Sequence, residues 1–133
     1  MIKEHTIIPY ASFWQRLLAH NIDLLPVLGL YYLSSLTPFE ISDFWLLGCI
    51  YVFYHTLFEL SPWHATPGKR WIGLHVENLG SGAVEPARIV LRNCCKILSL
   101  ILFFGGFVMI IFHPKNQGLH DYIGGTLVLF GEE

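Results

Sequence analysis

Charge is what this chain has least of. Acidic and basic residues together make up 14% of the 133 positions, ten acidic and eight basic, while 53% are hydrophobic. Ordinary soluble domains carry about 25% charged residues, and small ones have the most surface per residue to wet. With a mean hydropathy of +0.51, the chain is better suited to a bilayer than to water. The formal net charge is −2 and no dense run of Lys and Arg occurs. That excludes a nucleic-acid partner, because phosphate binding needs a concentrated basic face. Cysteine is equally sparse: Cys49, Cys94 and Cys95 lie in or beside apolar runs. Their spacing matches no CxxC or Cys/His zinc pattern, so they read as small, reduced packing residues.

Catalytic signatures are missing too. There is no nucleophile elbow, zincin helix, GxGxxG or N-x-S/T sequon. Thr66-Pro-Gly-Lys69 resembles a phosphate loop only in part. Trp63 stands where that loop needs its first Gly, and Arg70 stands where it needs Ser or Thr. A Thr N-cap with Pro at N1, opening a short interfacial helix, explains the segment better. No enzyme activity, metal or other cofactor is expected. The N-terminal apolar run holds Arg16, His20, Asn21 and Asp23 with no A-x-A-like site after it, so it reads as a membrane segment and not as a secretory signal.

What is present is a single domain built on helices. The first runs from about Ser12 to Leu36, with Ser12 as N-cap and Phe13 and Trp14 as an interfacial anchor. Pro26 is expected to kink it and free the carbonyl of Ile22. The second runs from about Phe44 to Leu60, with Ser42 or Asp43 as cap, and is just long enough to cross the hydrocarbon core. A third apolar block, Ile97 to Phe112, is interrupted at Gly105-Gly106 and can either span or re-enter. Trp71 to Glu77 alternates as a strand before the turn signal at residues 79–82. Thr126 to Phe130 reads as a second strand whose natural partner is Ile72 to Val76. From Glu85 to Ser99, Ala87, Val90, Leu91 and Cys94 recur at helical spacing opposite Arg88, Arg92 and Lys96. That describes an amphipathic helix on the inner leaflet.

The fold expected is therefore an all-α membrane protein with two spanning helices, a third broken or re-entrant apolar segment and a small cytoplasmic β element. Lys69, Arg70, Arg88, Arg92 and Lys96 fall in or beside one connection, and the first connection has no basic residue. By the positive-inside rule the second connection is cytoplasmic. Lys3 and Arg16 place the N-terminus on the same side.

Arg16 and Asp23 lie seven residues apart in the first helix, two turns along one face. A charge near the middle of a spanning helix costs about 2.5–3.5 kcal/mol on insertion scales, so such groups usually face a bundle interior. His20 is placed to bridge the two. The constellation reads either as a cation or proton relay centred on Asp23 or as a buried ionic lock. Tyr51, His55 and Glu59 form a polar stripe on the second helix. Spacing points His55 into the bundle and lets Glu59 snorkel to headgroups. Lys69, Arg70, Arg88 and Arg92 are candidates for anionic lipid headgroups. In the tail, His120 and Asp121 read on spacing as a capped turn, with Arg16 or Lys69/Arg70 as alternative partners of Asp121.

Three elements, FWQRLLAHNIDLL, TPGKRWIGLHV and QGLHDYIGGTLVL, resemble in this order the RDD family of small bacterial membrane proteins. The resemblance covers about residues 10 to 130. It aligns the family's Arg with Arg16 and its two Asp with Asp23 and Asp121, which makes Asp121 a candidate partner of Arg16. It also implies membrane integration and transport, with cation/proton exchange in some members. The tail departs from the pattern, since only Lys115 precedes Gln117-Gly118 where the family has several basic residues. The leading functional expectation is a carrier of small cations or another small solute, using Asp23 with Arg16, His20 and Asp121. The alternative is a non-transporting membrane subunit that binds anionic lipid or a partner protein. A bundle this small leaves little room for a path, so a homo-oligomer or a membrane partner is expected in either case.

Overall fold

The computed structural model describes residues 10–38, 40, 42–80, 84–101 and 105–131. Expectations for Lys3, for the rest of residues 1–9, and for positions 81–82 of the turn signal lie outside these residues. Among the described residues there are six helices and two strands: α1 (Phe13–Ser35), α2 (Asp43–Glu59), α3 (Pro67–Ile72), β1 (Leu74–Asn78), α4 (Pro86–Ile101), α5 (Gly105–Phe112), α6 (Leu119–Gly124) and β2 (Thr126–Phe130).

Local signals explain the boundaries. Ser12 caps α1 in a reciprocal box with Gln15, and the helix runs unbroken through Pro26. Ser42 is the N-cap of α2, but its side chain makes no capping bond, and Asp43 sits in the first turn. Thr66 caps α3 with Pro67 next, and Gly73 ends it at φ +85. Trp71 and Ile72 thus belong to a helix, not to the strand the sequence suggests. The strand begins at Leu74, because the left-handed Gly73 turns the chain.

β1 and β2 pair antiparallel, Leu74 opposite Phe130 and Asn78 opposite Thr126. The pairing is two residues along from the expected one, which leaves each side chain on the same face. Tyr10 bridges to Leu129, and Ala11 N–H donates to the Val128 carbonyl at 2.9 Å, so the lead into α1 adds to this small sheet.

One apolar cluster gathers Ala11, Ala19, Leu74, Val76, Ile89 and Val128 where α1, the sheet and α4 meet. A second joins Val27 of α1 to Tyr51 and Tyr54 of α2, with Ile97 of α4 against them. Residues of the third apolar block fall in α4 and α5, and whether the block is broken between them falls on residues 102–104, outside the described residues. Spanning is a separate matter: among the described residues no helix is long and apolar enough to cross a membrane.

The polarity of the molecule is inverted. Buried polar and charged residues outnumber buried hydrophobic ones among the described residues, while Leu25, Leu33, Trp45, Phe53 and Phe112 stand exposed. Helix α4 carries the inversion most plainly. Arg92, Asn93 and Lys96 are buried, and Val90, Leu91 and Leu98 are exposed. The helix is amphipathic, but Arg92 and Lys96 of its expected polar face look inward and only Arg88 stays exposed.

Candidate functional site

Five helices contribute to one buried ionic network. Arg16 of α1 pairs with Asp121 of α6. Asp121 also accepts from Arg92 Nε of α4 at 2.5 Å. Arg92 Nη1 reaches on to Glu59 Oε1 of α2 at 2.7 Å. The same oxygen is paired with Lys69 of α3 and lies 3.3 Å from Lys96 Nζ of α4. Arg92, Glu59 and Asp121 are all at most 1% exposed. Charges this dry persist only when paired and hydrogen-bonded, and here each carboxylate is shared between at least two cations.

Asp23 forms a second centre. Its carboxylate accepts from the Thr66 hydroxyl, from Gly68 N–H at 2.8 Å and from the Tyr54 hydroxyl at 3.2 Å. The acid therefore seats the first turn of α3 on α1. Gly68 is obligatory there, because a Cβ would lie 2.2 Å from the Ala19 carbonyl oxygen and 2.8 Å from Asp23 Cγ.

The structure redistributes the roles read from the sequence. Arg16 and Asp23 both face the interior, but each finds its partners on other elements. The His20 ring packs against Tyr51 and His55, at centroid distances of 5.7 and 6.1 Å. The Tyr51–His55–Glu59 stripe of α2 is buried as a unit. Glu59 does not snorkel: at 0% exposure it anchors three cations. Lys69 and Arg92 likewise are not free for headgroups, since burial leaves them to Glu59 and Asp121. Arg70 and Arg88 do remain outside, Arg70 over the Trp63 ring at 4.4 Å and Arg88 paired with Glu85 at 2.9 Å. Asp121 fills two of its expected roles at once, pairing with Arg16 and capping α6 through Gly118 N–H at 3.4 Å.

Burial opposes ionisation of Asp121, yet the Arg92 and Arg16 guanidiniums outweigh it and hold the carboxyl well below its ordinary range. Its neighbour His120 is pushed down to about 3, chiefly by burial, and is neutral at physiological pH. Sequence reasoning missed the interior roles of Lys69, Arg92 and Lys96, and the Thr66–Gly68 seat for Asp23. Arg92 and Lys96 sit four apart on the face that also carries Asn93 and Ser99. That shared polar face was the available signal. Among the described residues no group of His, Cys, Asp and Glu is arranged to hold a metal ion.

Counting formal charges, the buried interior holds Arg16, Lys69, Arg92 and Lys96 against Asp23, Glu59 and Asp121. Among the described residues, buried basic side chains thus outnumber buried acidic ones by one.

The chain is 40% identical over 81 residues to the uncharacterized protein YxaI of Bacillus subtilis (strain 168), an alignment covering 61% of this chain and 53% of YxaI. It thus spans about half the length of that relative. It is 29% identical over 138 aligned positions to the uncharacterized membrane protein YteJ of the same organism, covering 90% of this chain and 80% of YteJ. No solved structure matches. The RDD family matches over residues 10–125, a stretch that contains Arg16, Asp23, Asp121 and nearly all their partners. On that match, which takes in most of the sequence, the chain belongs to the RDD family.

Proposed function

We propose that this is an integral protein of a bacterial inner membrane whose charged interior is a structural lock, and that it works as a non-transporting membrane subunit. The observation that carries the reading is the inverted polarity: ionic residues are gathered inside and leucines and aromatics cover α1, α2 and α4 outside. In water such a surface associates or precipitates, whereas in lipid it is the expected arrangement. Helix α1 has 23 residues and α2 has 17, or about 35 and 26 Å at 1.5 Å per residue, against a hydrocarbon core of about 30 Å. Hydropathy averaged around α1 is lowered by Arg16, His20 and Asp23, which do not face the lipid. The name of YteJ, a membrane protein, supports the same location.

The distribution of basic residues supports a cytoplasmic N-terminus and a cytoplasmic β1 connection. Because β2 pairs with β1, the tail returns to that side, and the apolar block of α4 and α5 re-enters instead of crossing. Exposed Arg70 and Arg88 are then at the inner leaflet, where each basic side chain contributes about 1 kcal/mol of attraction to anionic lipid. The outer apolar faces are left for a membrane partner or a second copy.

Cation carriage, the leading expectation from sequence, fits the interior less well. Asp23 already accepts from three donors, the Thr66 and Tyr54 hydroxyls and Gly68 N–H, and a cation bound there would have to displace them. The test is reconstitution into vesicles, with Asp23→Asn beside the unchanged protein. The reading predicts no proton-coupled cation flux above empty vesicles from either. It also predicts a lowered thermal midpoint for the variant, which loses charge-assisted hydrogen bonds of about 1.5–3 kcal/mol each. A flux that appears with the unchanged protein and vanishes in Asp23→Asn would restore the carrier and remove the lock.

A further inference from the structure

Helix α3 sends two neighbouring residues in opposite directions. Lys69 is buried against Glu59, while Arg70 and Trp71 stand outside, Trp71 at 83% exposure. The Arg70 guanidinium lies 4.4 Å over the ring of Trp63, and that indole is stacked in turn on Phe58 at the end of α2. Among the described residues Arg16, Lys69, Arg88, Arg92 and Lys96 all have carboxylate partners, and Arg70 has none. A guanidinium resting on an aromatic face is held in place and keeps its N–H donors for an oxyanion, which it meets as a two-pronged fork. The platform is fixed, since Gly68 N–H and the Thr66 hydroxyl tie the start of α3 to Asp23 of α1. Trp63, half-exposed, and Trp71 put two large amphipathic rings beside the cation. Such rings favour the headgroup level of a membrane over water.

We propose that Trp63, Arg70 and Trp71 form a seat for the headgroup of an anionic phospholipid, with the phosphate on the Arg70 fork and the indoles against the glycerol and upper acyl chains. The seat rests on the membrane location proposed above and gives its lipid contact a place and a selectivity. A soluble anion would satisfy the guanidinium but leave both indoles in water. A zwitterionic head would bring an ammonium that an unpaired cation repels. An acidic protein segment would answer the charge but not the exposed Leu57 and Leu60 that lead along α2 to Trp63, a surface that suits acyl chains. Arg88 does not form a second seat, because Glu85 already holds it at 2.9 Å.

Native mass spectrometry of the full chain, released from a neutral maltoside detergent, reads the lipids it retains. The probe is an equimolar mixture of phosphatidylglycerol and phosphatidylcholine with the same acyl chains. The unchanged protein should carry phosphatidylglycerol in several-fold excess. Arg70→Gln should bring the two lipids near parity, and Arg70→Lys should lose most of the preference, because an ammonium presents no fork. Arg88→Gln should keep it. Both arginines are exposed, so the lipid-free thermal midpoint should match that of the unchanged protein in every variant. Equal retention of both lipids by the unchanged protein would overturn the proposal. So would a preference that survives intact in either Arg70 variant, or one that Arg88→Gln lowers as far as Arg70→Gln does. Displacement of phosphatidylglycerol by an equal concentration of glycerol 3-phosphate would overturn it too, by showing a site for soluble anions. Loss of the seat leaves the membrane reading standing; that reading falls instead if the protein stays monodisperse in water without detergent.

Discussion

Replacing Gly68 with alanine probes the contact between α1 and α3 at its tightest point. The new Cβ would sit 2.2 Å from the Ala19 carbonyl oxygen, a backbone atom that no rotamer change can move. Either α3 lifts or α1 bends. Overpacking of this kind costs about 1–3 kcal/mol. If α3 lifts, the Gly68 N–H bond to Asp23 goes with it, worth about 1.5–3 kcal/mol for a charged acceptor. Together the loss is on the order of 3–5 kcal/mol, and for a domain of this size that lowers the thermal midpoint by roughly 10 °C or more. The assay is thermal unfolding in detergent, with Gly29→Ala as the internal control. Gly29 lies in the same helix α1 and its added Cβ meets nothing within 4 Å, so that change should be neutral or raise stability by about 0.5–1 kcal/mol. A Gly68→Ala protein that melts with Gly29→Ala would mean that α3 does not rest on Asp23, and the reasoning would fail.

The charge balance makes a paired prediction. Arg92→Met leaves Glu59 and Asp121 short of a buried partner and should cost about 3–5 kcal/mol, whereas Lys96→Met removes only the surplus cation and should be neutral or stabilising; equal losses in thermal midpoint would refute the count. Acid should weaken the fold in two stages. His120 folds with a pKa of about 3 against about 6.5 when unfolded. Between those values only the unfolded chain takes the proton, and stability falls as pH drops from 6.5. Asp121 is held below the ordinary carboxylate value, so its contribution is intact above about pH 4 and is lost only as pH falls through its folded pKa. Melting curves at stepped pH check this, and a flat midpoint from pH 7 to 4 would contradict the burial of His120.

Local physics was legible in the residues themselves. Ser12 and Gln15, or Thr66 and Pro67, carry their helix starts in their own side chains. The polar stripe Tyr51–His55–Glu59 follows from helical spacing alone. The strand Thr126–Phe130 could be matched with its neighbour because a lone strand is unstable. The shortage of charge points to a membrane from composition alone.

What sequence left undecided was direction and partnership. Periodicity shows that α4 has two faces, but it is identical whether the polar face meets water or a protein interior. Only packing against α2 and α6 turned Arg92 and Lys96 inward. Arg16 and Asp121 are separated by 105 positions, and no local rule relates residues so far apart. Glu59 at a helix end looks free to reach outward until α3 and α4 close over it with three cations. Helix starts and face patterns depend on neighbours a few bonds away, so one chain of letters determines them. Ion pairing in a low-dielectric interior depends on which elements meet, and that is settled only when the whole chain has packed.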